Sequence, residues 1–316
     1  MNRGRIKLVL SIVVMAVVIG VAVKALARIL RDVSLDEILH AMGSIDGTRI
    51  AIAEVLGIAS YVVLTGYDVI ALRTIGKPLT WRRAAMASLV SYNLSHNFGM
   101  AALTGTAARY RIYTTAGLTT ADVARITILT GVAFWIGVVL MLGFCLILVP
   151  DVMPALGITL DRNVQTALGV VILAGNLAYL FVLGRRRGDV GVGKWTVPLP
   201  SLRLGAAQYV LSIADLVFAA GVLIVLIPTA GPDVWPQILV AYVSAFVVVL
   251  ITHAPGGAGV LEAVVLTMLP DLPKVEVLSG LIMFRLVYHL APLAVSLALL
   301  AGHEIHHRRR RTEIPV

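Results

Sequence analysis

The residues able to do chemistry in this chain are few, and they sit where charge is costly. Asp68, Arg109, Arg111, Asp215, Glu262 and Arg285 fall in apolar stretches, with His96, His253 and His289 as titratable neighbours. A charged side chain in hydrocarbon costs at least about 2.5 kcal/mol unless it is paired or wet, so each is a functional candidate. A guanidinium fork binds phosphate bidentately, so Arg109, Arg111 and Arg285 read as a site for a phosphate-bearing headgroup. Glu262, His253, Asp215 and Asp68 would balance charge or carry a proton. The plainer alternative is an ion pair, Arg111 with Glu262 or Arg285 with Glu262, that closes a helix bundle. For Asp68 and Asp215 it is a hydrogen bond to a neighbouring helix. Gly105, Gly256, Gly257 and Gly259, with Pro255, are expected at hairpin turns, where glycine accepts positive φ and lets amide N–H groups face an anion. Close helix packing is the other reason a glycine would sit there.

Two letter patterns of soluble enzymes lack the context that would give them meaning. His303-Glu304-Ile305-His306-His307 has the zinc-protease spacing but ends an apolar run against Arg308 to Arg311, and no third ligand follows. Gly188 to Lys194 resembles a phosphate-binding loop, yet Trp195 stands where Ser or Thr is required. The single cysteine, Cys145, has no disulfide partner in the chain. Nothing calls for catalysis, a metal or a cofactor.

The elements that hold these groups must be membrane spans. Of 316 residues 59% are hydrophobic and only 14% charged, against about 25% charged in soluble domains. With a mean hydropathy of +0.94, a water-soluble fold and a disordered chain are both excluded. Apolar runs of about 20 residues indicate helices and not a barrel. Six are expected, at 6–30, 49–72, 122–149, 164–184, 204–228 and 278–301, the first retained as a span and not cleaved as a signal peptide. Ser34 to Glu37 forms a capping box that opens a short interfacial helix, ended by Gly43 and Gly47. Two further apolar segments are interrupted, 84–112 by Asn93, His96, Asn97 and Thr104 to Thr106, and 236–269 by His253 to Gly259.

Basic loops orient the chain. Arg3, Arg5 and Lys7, then Arg73, Lys77, Arg82 and Arg83, then Arg185 to Arg187 and Lys194, and finally Arg308 to Arg311 all fall on the cytoplasmic side only if neither interrupted segment crosses fully. Both are therefore read as re-entrant hairpins, entering from opposite faces and enclosing a cavity. The net charge of +9 is a matter of orientation and anionic lipid, with no nucleic-acid pattern of interleaved aromatic and basic residues.

An offset of about 150 aligns the chain with itself: Asp68 with Asp215, Leu89-Val90-Ser91-Tyr92 with Leu239-Val240-Ala241-Tyr242, Gly105 to Arg111 with Gly256 to Glu262, and Phe134-Trp135 with Phe284-Arg285. The expected fold is an all-α polytopic membrane protein, with about six full spans and two re-entrant helical hairpins in an inverted repeat. Residues 1–316 form one membrane domain: first span and interfacial helix 1–48, repeat 1 49–149, linking span and basic loop 150–203, repeat 2 204–301, basic tail 302–316.

The hairpin residues themselves have a likeness. Ser91 to Gly99, Gly105 to Tyr113, Gly117 to Arg125 and Pro255 to Glu262 resemble the transmembrane flippase-like domain of the lysylphosphatidylglycerol synthase family, over nearly the whole chain. Stand-alone members lack the aminoacyltransferase part. With about 15 residues after the last expected span, synthase activity is not expected here. Asp215-Leu216 departs from the family's frequent Asp-Trp. The resemblance implies a lipid flippase of the bacterial inner membrane, moving an anionic phospholipid or polyprenyl-phosphate lipid; the basic residues at both ends place the termini in the cytoplasm. Arg109, Arg111, Glu262 and Arg285 would carry the site. Membrane phospholipids would be the partners, a homo-oligomer or a membrane enzyme being compatible additions. A secondary transporter of a small soluble anion and a non-transporting scaffold for a synthesis enzyme are the rival readings.

Overall fold

A computed structural model describes residues 34–99, 101–149, 161–185, 188–192, 195–252 and 255–312. In order these form α1 (Leu35–Gly43), α2 (Gly47–Thr74), α3 (Trp81–Phe98), α4 (Ala101–Thr114), α5 (Thr120–Leu148), α6 (Arg162–Arg185), β1 (Asp189–Val192), β2 (Trp195–Pro198), α7 (Leu202–Leu226), α8 (Trp235–Thr252), a 3₁₀ turn (Pro255–Gly257), α9 (Val260–Met268), α10 (Lys274–Phe284), a π-helical turn (Arg285–Leu290) and α11 (Ala291–Thr312). Five helices among the described residues are long and apolar enough to cross a membrane: α2, α5, α6, α7 and the continuous rod Lys274–Ile305. They match five of the six expected spans; the first, 6–30, lies outside the described residues. The chain is thus an all-α polytopic membrane protein.

Local chemistry explains the helix ends. Ser34 and Glu37 satisfy each other's backbone N–H groups at the start of α1, as their spacing predicts, and Thr119 and Asp122 do the same for α5. Arg49, in the first turn of α2, donates through Nη1 to the carbonyls of Val225 and Ile227 at the end of α7 (3.1 and 3.2 Å). That contact makes α2 and α7 antiparallel, and the rest of their interface agrees. Leu56 meets Gly221, Ser60 bonds Asp215, and Leu211 sits against Gly66, so the residue number falls along α7 as it rises along α2.

Each half of the chain has the same plan: a long helix, a broken hairpin, a long helix. Gly47, Trp81 and Thr120 open the first three pieces, and Leu202, Trp235 and Lys274 open their counterparts 155, 154 and 154 residues later. The first long helices of the halves cross antiparallel, which gives the halves opposite direction. Hairpin α3–α4 begins and ends at the end of the bundle that also holds Lys77 bonded to Asp122, Arg111 bonded to Glu304, and the β1–β2 ribbon tied by Arg125 Nε to the Thr196 carbonyl. The other hairpin starts and finishes at the opposite end, beside α1, which packs on α10. The ribbon was not expected from the sequence. Its strand Asp189–Val192 also removes any phosphate-loop reading of that segment.

The two breaks differ. Gly256, Gly257 and Gly259 have φ of +61°, +61° and +77°, the turn geometry expected of them. Gly105 does not turn the chain: it lies inside α4, and the break in the first hairpin falls at Gly99, with φ +69°. The reason is packing. A Cβ at Gly105 would stand 2.5 Å from Ser95 Oγ and 2.8 Å from Ser91 Oγ, so its absence lets α4 lie directly on α3.

Candidate functional site

The tips of the two hairpins meet. Asn97, at the end of α3, donates to the carbonyl of His289 (3.2 Å), and its own carbonyl lies 3.2 Å from where a Cβ of Gly256 would be. Beside this junction is a cavity of about 480 Å³. Its walls are aromatic and aliphatic, with Tyr92, Phe134, Trp135, Tyr242, Phe246 and Phe284 prominent. The polar lining is confined to Ser95, His96, Arg109, Thr127, Thr130 and His289. Gly131 and Trp135, the latter 43% exposed, are the exposed residues of its lining, and both lie halfway along α5.

Arg109 is 4% exposed and held in a fork: Nε and Nη2 donate to Asp68 Oδ1 and Oδ2 at 2.9 and 2.8 Å. Tyr113 donates to the same carboxylate at 2.7 Å, and the guanidinium lies 5.0 Å from the Tyr92 ring centre. With Asp68 fully buried, the pair neutralises itself inside the membrane domain. Nη1 is the one guanidinium nitrogen not bonded to Asp68, and Tyr92 and Arg109 line the cavity together.

Arg285 is committed differently. It donates to both oxygens of Glu262 (Nη2 to Oε2 at 3.0 Å), and to the carbonyls of Gly256 (2.6 Å) and Gly257 (3.1 Å). Glu262 also accepts from Gly259 N–H at 2.9 Å. The pair is the clamp that holds the left-handed glycine turn shut. Of the two ion pairs the sequence allows for Glu262, this is the one formed.

The structure does not bring Arg111 to the site. Its side chain, 58% exposed, bonds Glu304 at the bundle end, while Thr115 approaches His303. Arg109 and Arg111, two residues and so about 200° apart around α4, therefore face in different directions, and only the first belongs to the cavity. The His303 and Glu304 of the protease-like spacing are engaged in these contacts, and no cluster of metal-ligating side chains occurs among the described residues. Asp215 is buried and accepts from Ser60 at 2.7 Å. Ser60 has one proton, so the 2.7 Å contact to Tyr288 must be donated by the tyrosine. His253 lies outside the described residues. Pro255 opens the 3₁₀ turn.

Several participants carry no charge and were not singled out: Tyr92 and Tyr113 around Arg109, and Tyr61, which donates to Asn93 (2.8 Å) and to the Tyr288 carbonyl (2.9 Å). A signal existed in the helical spacing that puts Tyr61 on the Asp68 face of α2. His289 is placed by the π turn, whose carbonyls at Tyr288 and His289 accept from Tyr61 and Asn97.

These features define a polytopic helical membrane protein with an internal cavity at the junction of two broken hairpins. No family model matches the chain. It is 32% identical to "Uncharacterized protein slr0712" of Synechocystis over 278 residues, covering 87% of this chain and 86% of that protein. It belongs to the same family as that protein. It is also 26% identical over 263 residues to "Inner membrane protein YbhN" of Escherichia coli, covering 80% of each.

Proposed function

We propose that this protein moves a phosphate-bearing lipid, an anionic phospholipid or a polyprenyl-phosphate lipid, between the leaflets of a bacterial inner membrane. The observation that carries the reading is the cavity's position and mouth. It lies where the hairpin tips meet and opens through Gly131 and Trp135 at the middle of a membrane-length helix, so a headgroup could lie inside while its tails stay in the bilayer. Predominantly aromatic walls suit an amphiphile better than a small hydrated anion, which is why the soluble-anion rival is set second. The antiparallel halves supply the two bodies whose rocking would alternate access, and both hairpins would re-enter the bilayer without crossing it. Similarity to a protein named an inner membrane protein supports the location, and the resemblance to the synthase family's flippase-like domain supports the substrate class.

Within this reading Arg109 faces the headgroup, Arg285 and Glu262 hold the second hairpin's turn, and Arg111 acts at the membrane surface. The protein would act as a transporter and not as an enzyme. The bundle end that carries Lys77, Arg82, Arg83, Arg111, Arg125, Arg185 and Arg203 would face the cytoplasm.

Gly131→Trp tests the reading directly. A Cβ at Gly131 meets nothing within 4 Å, so the substitution is accommodated while the indole fills the mouth. In proteoliposomes with headgroup-labelled lipid, the parent protein should move the label and Gly131→Trp should slow it about ten-fold or more, the loss of about 1.4 kcal/mol of transition-state access. Equal rates in the two proteins would remove the lateral mouth from the mechanism.

A further inference from the structure

His96 and His289 both line the cavity and pack edge to face, with ring centres 6.0 Å apart and planes nearly perpendicular. His289 is 8% exposed. On each ring Nδ1 is walled in and has no hydrogen-bond partner. Nε2 is the nitrogen left to the cavity that both rings line. An unpaired N–H in an apolar wall is worse than an unpaired lone pair, so the proton of each neutral ring belongs on Nε2. A second proton would sit on Nδ1 as a buried donor with no acceptor. The cavity therefore presents two neutral N–H donors beside the Nη1 edge of Arg109, whose charge Asp68 already balances.

Such a site offers directed donors but no net charge. One diffuse negative charge, spread over two oxygens, is satisfied by that arrangement. A second charge on the same phosphorus would double the charge that hydrogen bonds alone must hold in a low-dielectric space. Hydroxyls of Ser95, Thr127 and Thr130 line the same space; each donates its one proton to a backbone carbonyl of its own helix, which leaves lone pairs to accept from an alcohol-bearing headgroup.

We propose that His96, His289 and Arg109 form the subsite that receives the phosphodiester of a glycerophospholipid, reading its two non-bridging oxygens through Nε2–H and Nη1–H, and that the site discriminates against phosphomonoesters. The inference rests on the lipid-transport reading and narrows its substrate class.

The test uses purified full-length protein titrated with phosphatidylglycerol, a diester, and phosphatidic acid, a monoester with the same tails, followed by native mass spectrometry. Phosphatidylglycerol should bind more tightly than phosphatidic acid at a pH where the latter is dianionic. A His96→Phe/His289→Phe protein should lose affinity for phosphatidylglycerol about ten-fold or more, since a hydrogen bond to a charged group is worth about one decade or more of binding. Single His→Gln proteins, which keep a donor, should stay within about three-fold of the parent. A parallel measurement on the parent protein does not depend on variants folding. With ¹⁵N-histidine, two Nε2–H signals should shift on adding phosphatidylglycerol. Unshifted histidine signals, unchanged affinity in the double variant, or tighter binding of phosphatidic acid would each overturn the subsite while leaving lipid transport standing. Absence of binding of both lipids to the parent protein would overturn the transport reading with it.

Discussion

Asp68, Asp215 and Glu262 are three buried carboxylates with three different dependencies, and substitution should separate them. Asp68 balances Arg109 and accepts from Tyr113, so Asp68→Asn leaves a buried guanidinium uncompensated. A loss of about 3–5 kcal/mol in folding free energy is expected, read as a sharply lowered melting temperature in detergent. Adding Arg109→Gln to Asp68→Asn should recover part of that stability, because both charges then leave together. Asp215 has no basic partner among the described residues, and its bond from Ser60 survives in the amide. Asp215→Asn should shift stability by only about 1 kcal/mol. If Asp215→Asn proved as damaging as Asp68→Asn, an unrecognised cation near Asp215 would be required. The charged residues were legible as a set, because charge in an apolar run is visible by letter alone. Their pairing was not, since Asp68 and Arg109 are 41 positions apart and join only once α4 lies on α3. Arg111 shows the same limit from the other side: two residues from Arg109, it is a surface group.

At the scale of elements, the glycines divide by what each must do. Gly256 and Gly257 have left-handed φ, and a Cβ at Gly257 would stand 2.9 Å from Val249 Cγ2. Gly257→Ala should therefore combine backbone strain of about 1 kcal/mol with a steric clash. Its turn is held by Arg285 and Glu262, so the substitution should raise proteolytic cleavage between α8 and α9, measured on the folded protein. Gly105→Ala acts by another route, pushing α4 off Ser91 and Ser95 without touching a turn. The broken hairpins were legible because polar and small residues interrupt an apolar run. The identity of the breaking residue in the first was not, since a glycine needed for packing and one needed for a turn are the same letter. The β1–β2 ribbon was missed because its strands are four residues each, too short for periodicity to register.

For the whole molecule, the antiparallel crossing of α2 and α7 sorts the loops onto two ends. Cysteines introduced at Pro78 and Asp189, both exposed, should react together from one side of the membrane, and those at Ser44 and Asp233 from the other. Cys145 is the sole native cysteine and is buried, so Cys145→Ala supplies a clean background. By the distribution of basic residues the first pair should be the cytoplasmic one. Labelling of Pro78 and Asp189 from opposite sides would overturn the crossing. The parity of the basic loops is the sequence's own argument for such a sorting, because orientation depends on counting crossings and not on packing. The π turn in the last rod has a consequence of phase. Relative to an unbroken α-helix it inserts one residue, turning everything beyond Leu290 by about 100° about the axis. Ser296, which bonds Asn93, and Glu304, which bonds Arg111, meet their partners only with that rotation in place. The rod Lys274–Ile305 is thus two keys cut on one shaft at different angles, α10 before the π turn and α11 after it. Deleting a single residue between Arg285 and Leu290 would leave α10 seated and turn Ser296 and Glu304 away from Asn93 and Arg111.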